Sequence, residues 1–340
     1  MTTSALTASD QPLLERYDGL ILDLDGVLQL DDQPVPGAVE VMAKVSATGV
    51  PQVFLTNNAA RTPAEVAARL AGLGFEAAEG QVLTSAMVAA QLLASRLSAR
   101  TEVLVVGGPG LIDAVAAVGL CPVTVATEGV AAVVQGWGPD VGWALLAEGS
   151  VALRAGAAWV ATNADRTLPS PRGPLPGNGS LVAALQTATG LQPEVVGKPQ
   201  RGMFDVAAAR AGQRPLMVGD RLDTDIAGAI AAGLPALLVL TGVASARDLL
   251  AAAPAERPTY VGLDLQALLQ PHAAPVLSGD RAACGEVTVS SDGVVAGMTH
   301  PHSVDDGTKA DGLRAAAALA WAELLPETEY DAVLRRLGFD

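Results

Sequence analysis

Histidine is missing from the first 271 residues of this 340-residue chain, and the three it has are His272, His300 and His302. That absence removes Ser-His-Asp catalysis, phosphohistidine chemistry and histidine-ligated zinc from most of the sequence. Cysteine is nearly absent too. Cys121 and Cys284 lack CxxC spacing, and the sixth residue after them, Thr127 or Ser290, is not the arginine of a cysteine-phosphatase loop. Both are expected to be free, buried thiols, as suits a reducing cytoplasm. Aromatic residues make up only 3% of a chain that is half hydrophobic. A core of small aliphatic side chains suits parallel α/β layers.

Basic residues are outnumbered, 21 Lys and Arg against 36 Asp and Glu, for a net charge of −15. No basic stripe offsets this, so nucleic acid is excluded as a partner. The first 18 residues have neither a basic start nor an apolar stretch, and no secretory signal is expected. Ile226 to Ala246 carries no charge but is broken by Gly228, Gly233, Pro235 and Gly242. It reads as a helix, a turn and a buried strand at 236–240, and no membrane span is expected.

What is present is an alternation of strands and helices. Strand-like runs fall at 19–25, 52–56, 103–106, 131–134, 158–161, 194–196, 215–218, 236–240 and 259–261, with helices predicted near 37–48 and from Thr62 to Leu73. Such alternation predicts parallel sheets with ligands bound beyond the carboxyl ends of the strands. After residue 270 the pattern changes to a hairpin, 285–289 with 294–295 around Ser291-Asp292-Gly293, and a helix near 311–325.

Four strand ends carry polar clusters: Asp23-Leu24-Asp25-Gly26, Thr56-Asn57-Asn58, Gly197-Lys198-Pro199, and Gly219-Asp220 followed by Asp223 and Asp225. Each has an ordinary explanation alone, as a solvated turn, a helix cap or a surface lysine. Together, closely spaced carboxylates at strand ends are unfavourable without a cation or a proton. If the clusters converge, Asp23 and Asp220 with the Asp25 carbonyl fit Mg²⁺ with several waters retained, and Asp223 or Asp225 fits a metal-bound water. Lys198, the Thr56 hydroxyl and the Asn57 N–H then suit a phosphoryl group, Asp23 an in-line nucleophile, and Asp25 a general acid and base. About 140 residues separate Thr56 from Lys198. One βα unit takes roughly 30, so the excess, roughly 85–188, predicts an inserted domain over the strand ends.

In order and spacing these four motifs resemble the haloacid dehalogenase (HAD) superfamily over about residues 18–268, and the insertion resembles the α/β C2 cap of its type-IIA branch. The resemblance implies an α/β fold. A Rossmann-like HAD core with a parallel sheet would span 1–84 and 189–269, with an inserted C2-type cap at 85–188 and a small α+β extension at 270–340. It further implies a cytoplasmic, Mg²⁺-dependent phosphoric monoester hydrolase acting through an aspartyl phosphate. Asp23 and Asp25 would be catalytic, and Asp23, Asp25, Asp220 and, through water, Asp225 would hold the metal. Thr56, Asn57, Asn58 and Lys198 would bind phosphate.

The runs 218–226, 175–180 and 257–262 resemble a glycerol-phosphate-hydrolysing branch whose tail is similar to part of an acetyltransferase (GNAT) fold. This implies glycerol 3-phosphate as the small phosphate monoester, with pyridoxal or sugar phosphates as alternatives. The scarcity of aromatic clamps favours a small polyol. The tail lacks the glycine loop that binds coenzyme A, so no acetyl transfer is expected. Asn163, Asp165, Arg166, Asn178 and Ser180 are the cap candidates for specificity, and caps of this kind contribute to homodimers. Two readings from other classes compete. A phospho-aspartate receiver needs neither Asp25 nor the insertion, and a retired scaffold does not explain a complete reactive set. His300-Pro301-His302 has no third ligand and reads as surface.

Overall fold

The Gly19–Leu22 run is a strand buried on both faces, which is why it is apolar at every position. In the computed structural model, which describes residues 6–168, 170, 172–298 and 305–339, the chain divides into two units. One comprises residues 1–52 and 208–340, the other residues 53–207.

In the first unit, parallel strands run in the order Tyr260–Gly262, Ala236–Val239, Pro215–Gly219, Gly19–Leu22. Leu22 lies opposite Val218, and Val218 opposite Leu237. This register brings the chain after Leu22 and the chain after Gly219 to the same sheet edge. The first strand is shorter than the expected 19–25, because Asp23 makes one more backbone bond, to the Val218 carbonyl, and Leu24–Gln29 then turns back on itself. The charge-free stretch after Ile226 is a short helix, Ala227–Ala232, then the buried strand Ala236–Val239. No described helix is long and apolar enough to cross a membrane.

The same unit carries the region after residue 270, an antiparallel sheet in the order Val276–Ser278, Arg281–Cys284, Val287–Ser290, Val295–Ala296. The last two strands are the expected hairpin; the first two are short and lack an apolar run. The helix expected near 311–325 is Asp306–Trp321 instead. Asp305 starts it early by accepting the Thr308 N–H at 3.0 Å. His300 and His302 lie outside the described residues.

The second unit holds a five-stranded parallel sheet, Glu194–Val195, Ala158–Ala161, Val130–Gln135, Glu102–Val106, Cys121–Val123. Helices Trp143–Arg154 and Asn178–Thr189 pack on it through Leu153, Val182 and Leu185 against Leu104, Val133 and Trp159. Cys121 is free but exposed, not buried, since it opens the edge strand of this sheet. Cys284 is free and buried as expected. The strand Gln52–Thr56 pairs in parallel with Val82–Thr84, Thr56 opposite Thr84, and the expected helix after it is Pro63–Gly72 with Thr62 and Glu65 in a capping box.

Candidate active site

In the first unit, Asp23, Asp220 and Asp225 bring one carboxylate oxygen each within 4.8 Å of one another, and all three are buried. Their placement follows from the backbone. Asp23 follows Leu22 and Asp220 follows Gly219, the last residues of adjacent parallel strands. Asp225 is turned inward by a single π-helical turn, Leu222–Ile226, and its Oδ2 accepts the Arg221 N–H at 3.1 Å. Asp223, two residues away, points outward and pairs with Arg221 at 2.8 Å. Asp25 stands apart from the carboxylate cluster. It is exposed, and its Oδ1 accepts a bond from Gln29 Nε2 at 2.8 Å.

Glycines make room for the cluster. A Cβ on Gly26, which has φ of +87°, would lie 2.3 Å from Asp220 Oδ2, and one on Gly242 would lie 2.0 Å from the same oxygen. Asp220 Oδ2 also accepts the Val243 N–H at 2.7 Å. From the sequence Gly242 was read only as a break in the charge-free stretch and Val243 was not singled out, although a glycine soon after the strand Ala236–Val239 was the available signal. Three buried carboxylates this close are strongly unfavourable as bare anions. An oxygen-only donor set of this size fits a hard divalent cation that keeps several waters, as Mg²⁺ does.

In the second unit, Thr56 ends the buried strand Gln52–Thr56, and Asn57 and Asn58 follow it. Thr56 Oγ1 accepts the Asn58 N–H at 3.0 Å, and Asn58 Oδ1 accepts the Ala60 N–H at 2.9 Å. Asn57 and Lys198 are joined by two bonds. The Lys198 N–H donates to Asn57 Oδ1 at 2.8 Å, and Asn57 Nδ2 donates to the Lys198 carbonyl at 3.2 Å. Residues 141 apart in sequence are thus fixed side by side, and Lys198 is buried. Ser85, which the sequence reading missed, donates from Oγ to the Asn57 carbonyl at 2.7 Å.

The same unit collects the cap candidates. Asn163 is buried and donates from Nδ2 to the Asn57 carbonyl at 2.8 Å, and the Asp165 carboxylate accepts from Asn57 Nδ2 at 3.0 Å. Asn178 and Ser180 turn toward main chain: Asn178 Nδ2 donates to the Asn163 carbonyl at 2.7 Å, and Ser180 Oγ to the Arg166 carbonyl at 2.7 Å. Arg166 itself is exposed.

The model of haloacid dehalogenase-like hydrolases matches residues 20–121, and a second HAD-hydrolase-like model matches residues 195–268. The chain is 47% identical to the D-glycerol 3-phosphate phosphatase of Mycobacterium tuberculosis over 315 residues, covering 91% of this chain and 87% of that one. It is 38% identical to the 5'-nucleotidase YutF of Bacillus subtilis, over 68% of this chain and 90% of that one. The crystal structure of glycerol phosphate phosphatase Rv1692 from Mycobacterium tuberculosis in complex with magnesium superposes with a TM-score of 0.81 at 42% identity. That match covers 97% of this chain and 99% of the other.

Proposed function

The chain belongs to the haloacid dehalogenase-like hydrolase family, and on that premise we propose that it is a Mg²⁺-dependent phosphatase whose substrate is glycerol 3-phosphate. The observation that carries the chemistry is the buried cluster of Asp23, Asp220 and Asp225. The reach of the likeness supports the substrate. The glycerol 3-phosphate phosphatase matches 91% of the chain, tail included, whereas the nucleotidase matches 68%.

In this reading Asp23 Oδ attacks phosphorus in line, the P–O bond to the alcohol breaks, and Asp25 gives the departing oxygen its proton. Asp25 then takes a proton from water, whose oxygen attacks the aspartyl phosphate and frees Asp23 and orthophosphate. Proton transfer of this kind contributes about 10²–10⁴-fold. Gln29 orients Asp25 for both transfers through its 2.8 Å bond. Lys198, the Thr56 hydroxyl and the Asn57 and Asn58 region hold the phosphoryl oxygens. A bound Mg²⁺, held by Asp23, Asp220, the Asp25 carbonyl and through water Asp225, supplies charge neutralisation.

Substrate choice belongs to the cap, residues 85–188 in this reading, with the core at 1–84 and 189–269 and the extension at 270–340. The proposal includes a cytoplasmic location and a homodimer. A monomeric mass by light scattering would remove the homodimer.

The test is phosphate release from glycerol 3-phosphate beside pyridoxal, sugar, nucleoside and nitrophenyl phosphates, for the wild type and Asp23→Asn. Selective turnover of glycerol 3-phosphate, lost in EDTA and in the variant, is the expected outcome. Turnover of the nitrophenyl ester without glycerol 3-phosphate would discard the substrate, and no turnover of any ester would discard the enzyme.

A further inference from the structure

The Asn57 side chain is a junction. Its Nδ2 donates both to Asp165 Oδ2 and to the Lys198 carbonyl, and its Oδ1 accepts the Lys198 N–H. One amide group therefore ties the carboxylate of a loop residue to the backbone of the lysine.

That loop is held from its other side by four consecutive residues. Gly177 N–H donates to the Arg166 carbonyl at 2.9 Å and Gly179 N–H to the Asp165 carbonyl at 2.8 Å. Asn178 Nδ2 and Ser180 Oγ hold the carbonyls of Asn163 and Arg166. A Cβ on Gly177 would lie 2.4 Å from the Asp165 carbonyl oxygen, and one on Gly179 would lie 2.3 Å from that of Ala164. Only glycine permits main chain to approach this closely. The run Gly177-Asn178-Gly179-Ser180 thus fixes where Asp165 sits, and Asp165 fixes Asn57.

We propose that Asp165 is a positioning residue for phosphate binding, acting through Asn57 on the main chain that carries Lys198. The proposal rests on the phosphatase reading, in which Asn57 and Lys198 hold the phosphoryl group. Its chemical requirement is an acceptor at position 165. The charge strengthens the bond to Asn57, since charge-assisted hydrogen bonds are roughly twice as strong as neutral ones, but the geometry needs only an oxygen.

The experiment compares Asp165→Ala and Asp165→Asn with the wild type in the full chain with Mg²⁺. It reads kcat and KM for the ester turned over, the dissociation constant of inorganic phosphate by calorimetry, and the melting temperature. Asp165→Ala is expected to raise KM and the phosphate dissociation constant by about tenfold, the effect of losing one hydrogen bond's worth of preorganisation. Its melting temperature should hold. Asp165→Asn keeps an acceptor and should recover most of the affinity.

An Asn variant as impaired as Ala would overturn the proposal in favour of a role for the charge itself. An unaffected Ala variant, or loss of affinity that tracks a lowered melting temperature in both variants, would overturn it as well. If the wild type hydrolyses no ester, the phosphatase reading fails separately. The positioning proposal then stands only if Ala weakens orthophosphate binding and Asn restores it.

Discussion

Arg314 donates from Nε and from Nη2 to the carbonyl of Val261, at 3.2 and 2.7 Å. The guanidinium is buried, its Nη1 donates to Asp311 at 2.7 Å, and Nη2 also meets His272 Nδ1 at 3.0 Å. A residue of the helix Asp306–Trp321 thereby satisfies a carbonyl in the edge strand Tyr260–Gly262. Arg314→Ala takes the charged partner from Asp311 and both side-chain donors from that carbonyl, and should destabilise the protein by about 3 kcal/mol. Urea denaturation checks this, and an unmoved midpoint would refute it.

The C-terminal region is bound to the first unit at other points too. Trp321 Nε1 donates to the Leu249 carbonyl at 2.9 Å, Tyr330 donates to that of Leu250 at 3.3 Å, and Arg247 pairs with both Glu327 and Asp331. Truncation after residue 270 removes these contacts and uncovers apolar surface, yet takes away no residue assigned to chemistry. The expected product is a soluble, active core with a lower melting temperature. An unchanged melting temperature would show that the packing contributes nothing.

Acid should weaken the same junction. Burial lowers the pKa of His272 to about 4, and the Arg314 charge adds to the effect, against the bond to the Ala267 carbonyl. Nε2 donates to that carbonyl at 2.8 Å, Nδ1 accepts from Arg314, and the Tyr260 ring packs edge-on at 5.2 Å. The native ring is therefore neutral, while the unfolded chain takes up a proton below pH 6.5. Stability from this site is complete above pH 6.5 and is lost as pH falls toward 4. His272→Gln should flatten that part of the profile, about 3 kcal/mol in all, in denaturation curves at pH 7 and 4.5. Parallel losses in the variant would count against it.

Gly242→Ala tests the cation site. Its Cβ would lie 2.0 Å from Asp220 Oδ2 and 2.7 Å from the Cα of Gly26, so the carboxylate has to move. Mg²⁺ activation should shift to a concentration at least about tenfold higher, equivalent to about 1.4 kcal/mol of binding. Magnesium titration by calorimetry reads the same shift without turnover. An unaltered titration would show that Asp220 does not hold the ion.

The strand-helix alternation and the buried strands expected at 215–218 and 236–240, found as Pro215–Gly219 and Ala236–Val239, were legible because they rest on local periodicity and on glycine and proline punctuation. The short strands Val276–Ser278 and Arg281–Cys284 were not, since antiparallel pairing, not apolar content, holds them. Exposure of Cys121 was equally hidden, because being at a sheet edge is a property of the assembled sheet.

The sequence alone determined the chemical inventory, with carboxylates at two strand ends, hydroxyl and amide groups at a third, a lysine at a fourth, and no histidine before residue 272. Side-chain chemistry and strand-end placement are local, so a linear reading suffices for them. Tertiary structure alone decided which acid joins the cluster. Asp223 and Asp225 are alike in sequence, but the π-helical turn sends one out to Arg221 and the other inward to Asp23 and Asp220. It also decided that Asn57, Asp165 and Lys198 share one hydrogen-bonded junction. Such contacts join residues more than a hundred positions apart, and packing sets their geometry.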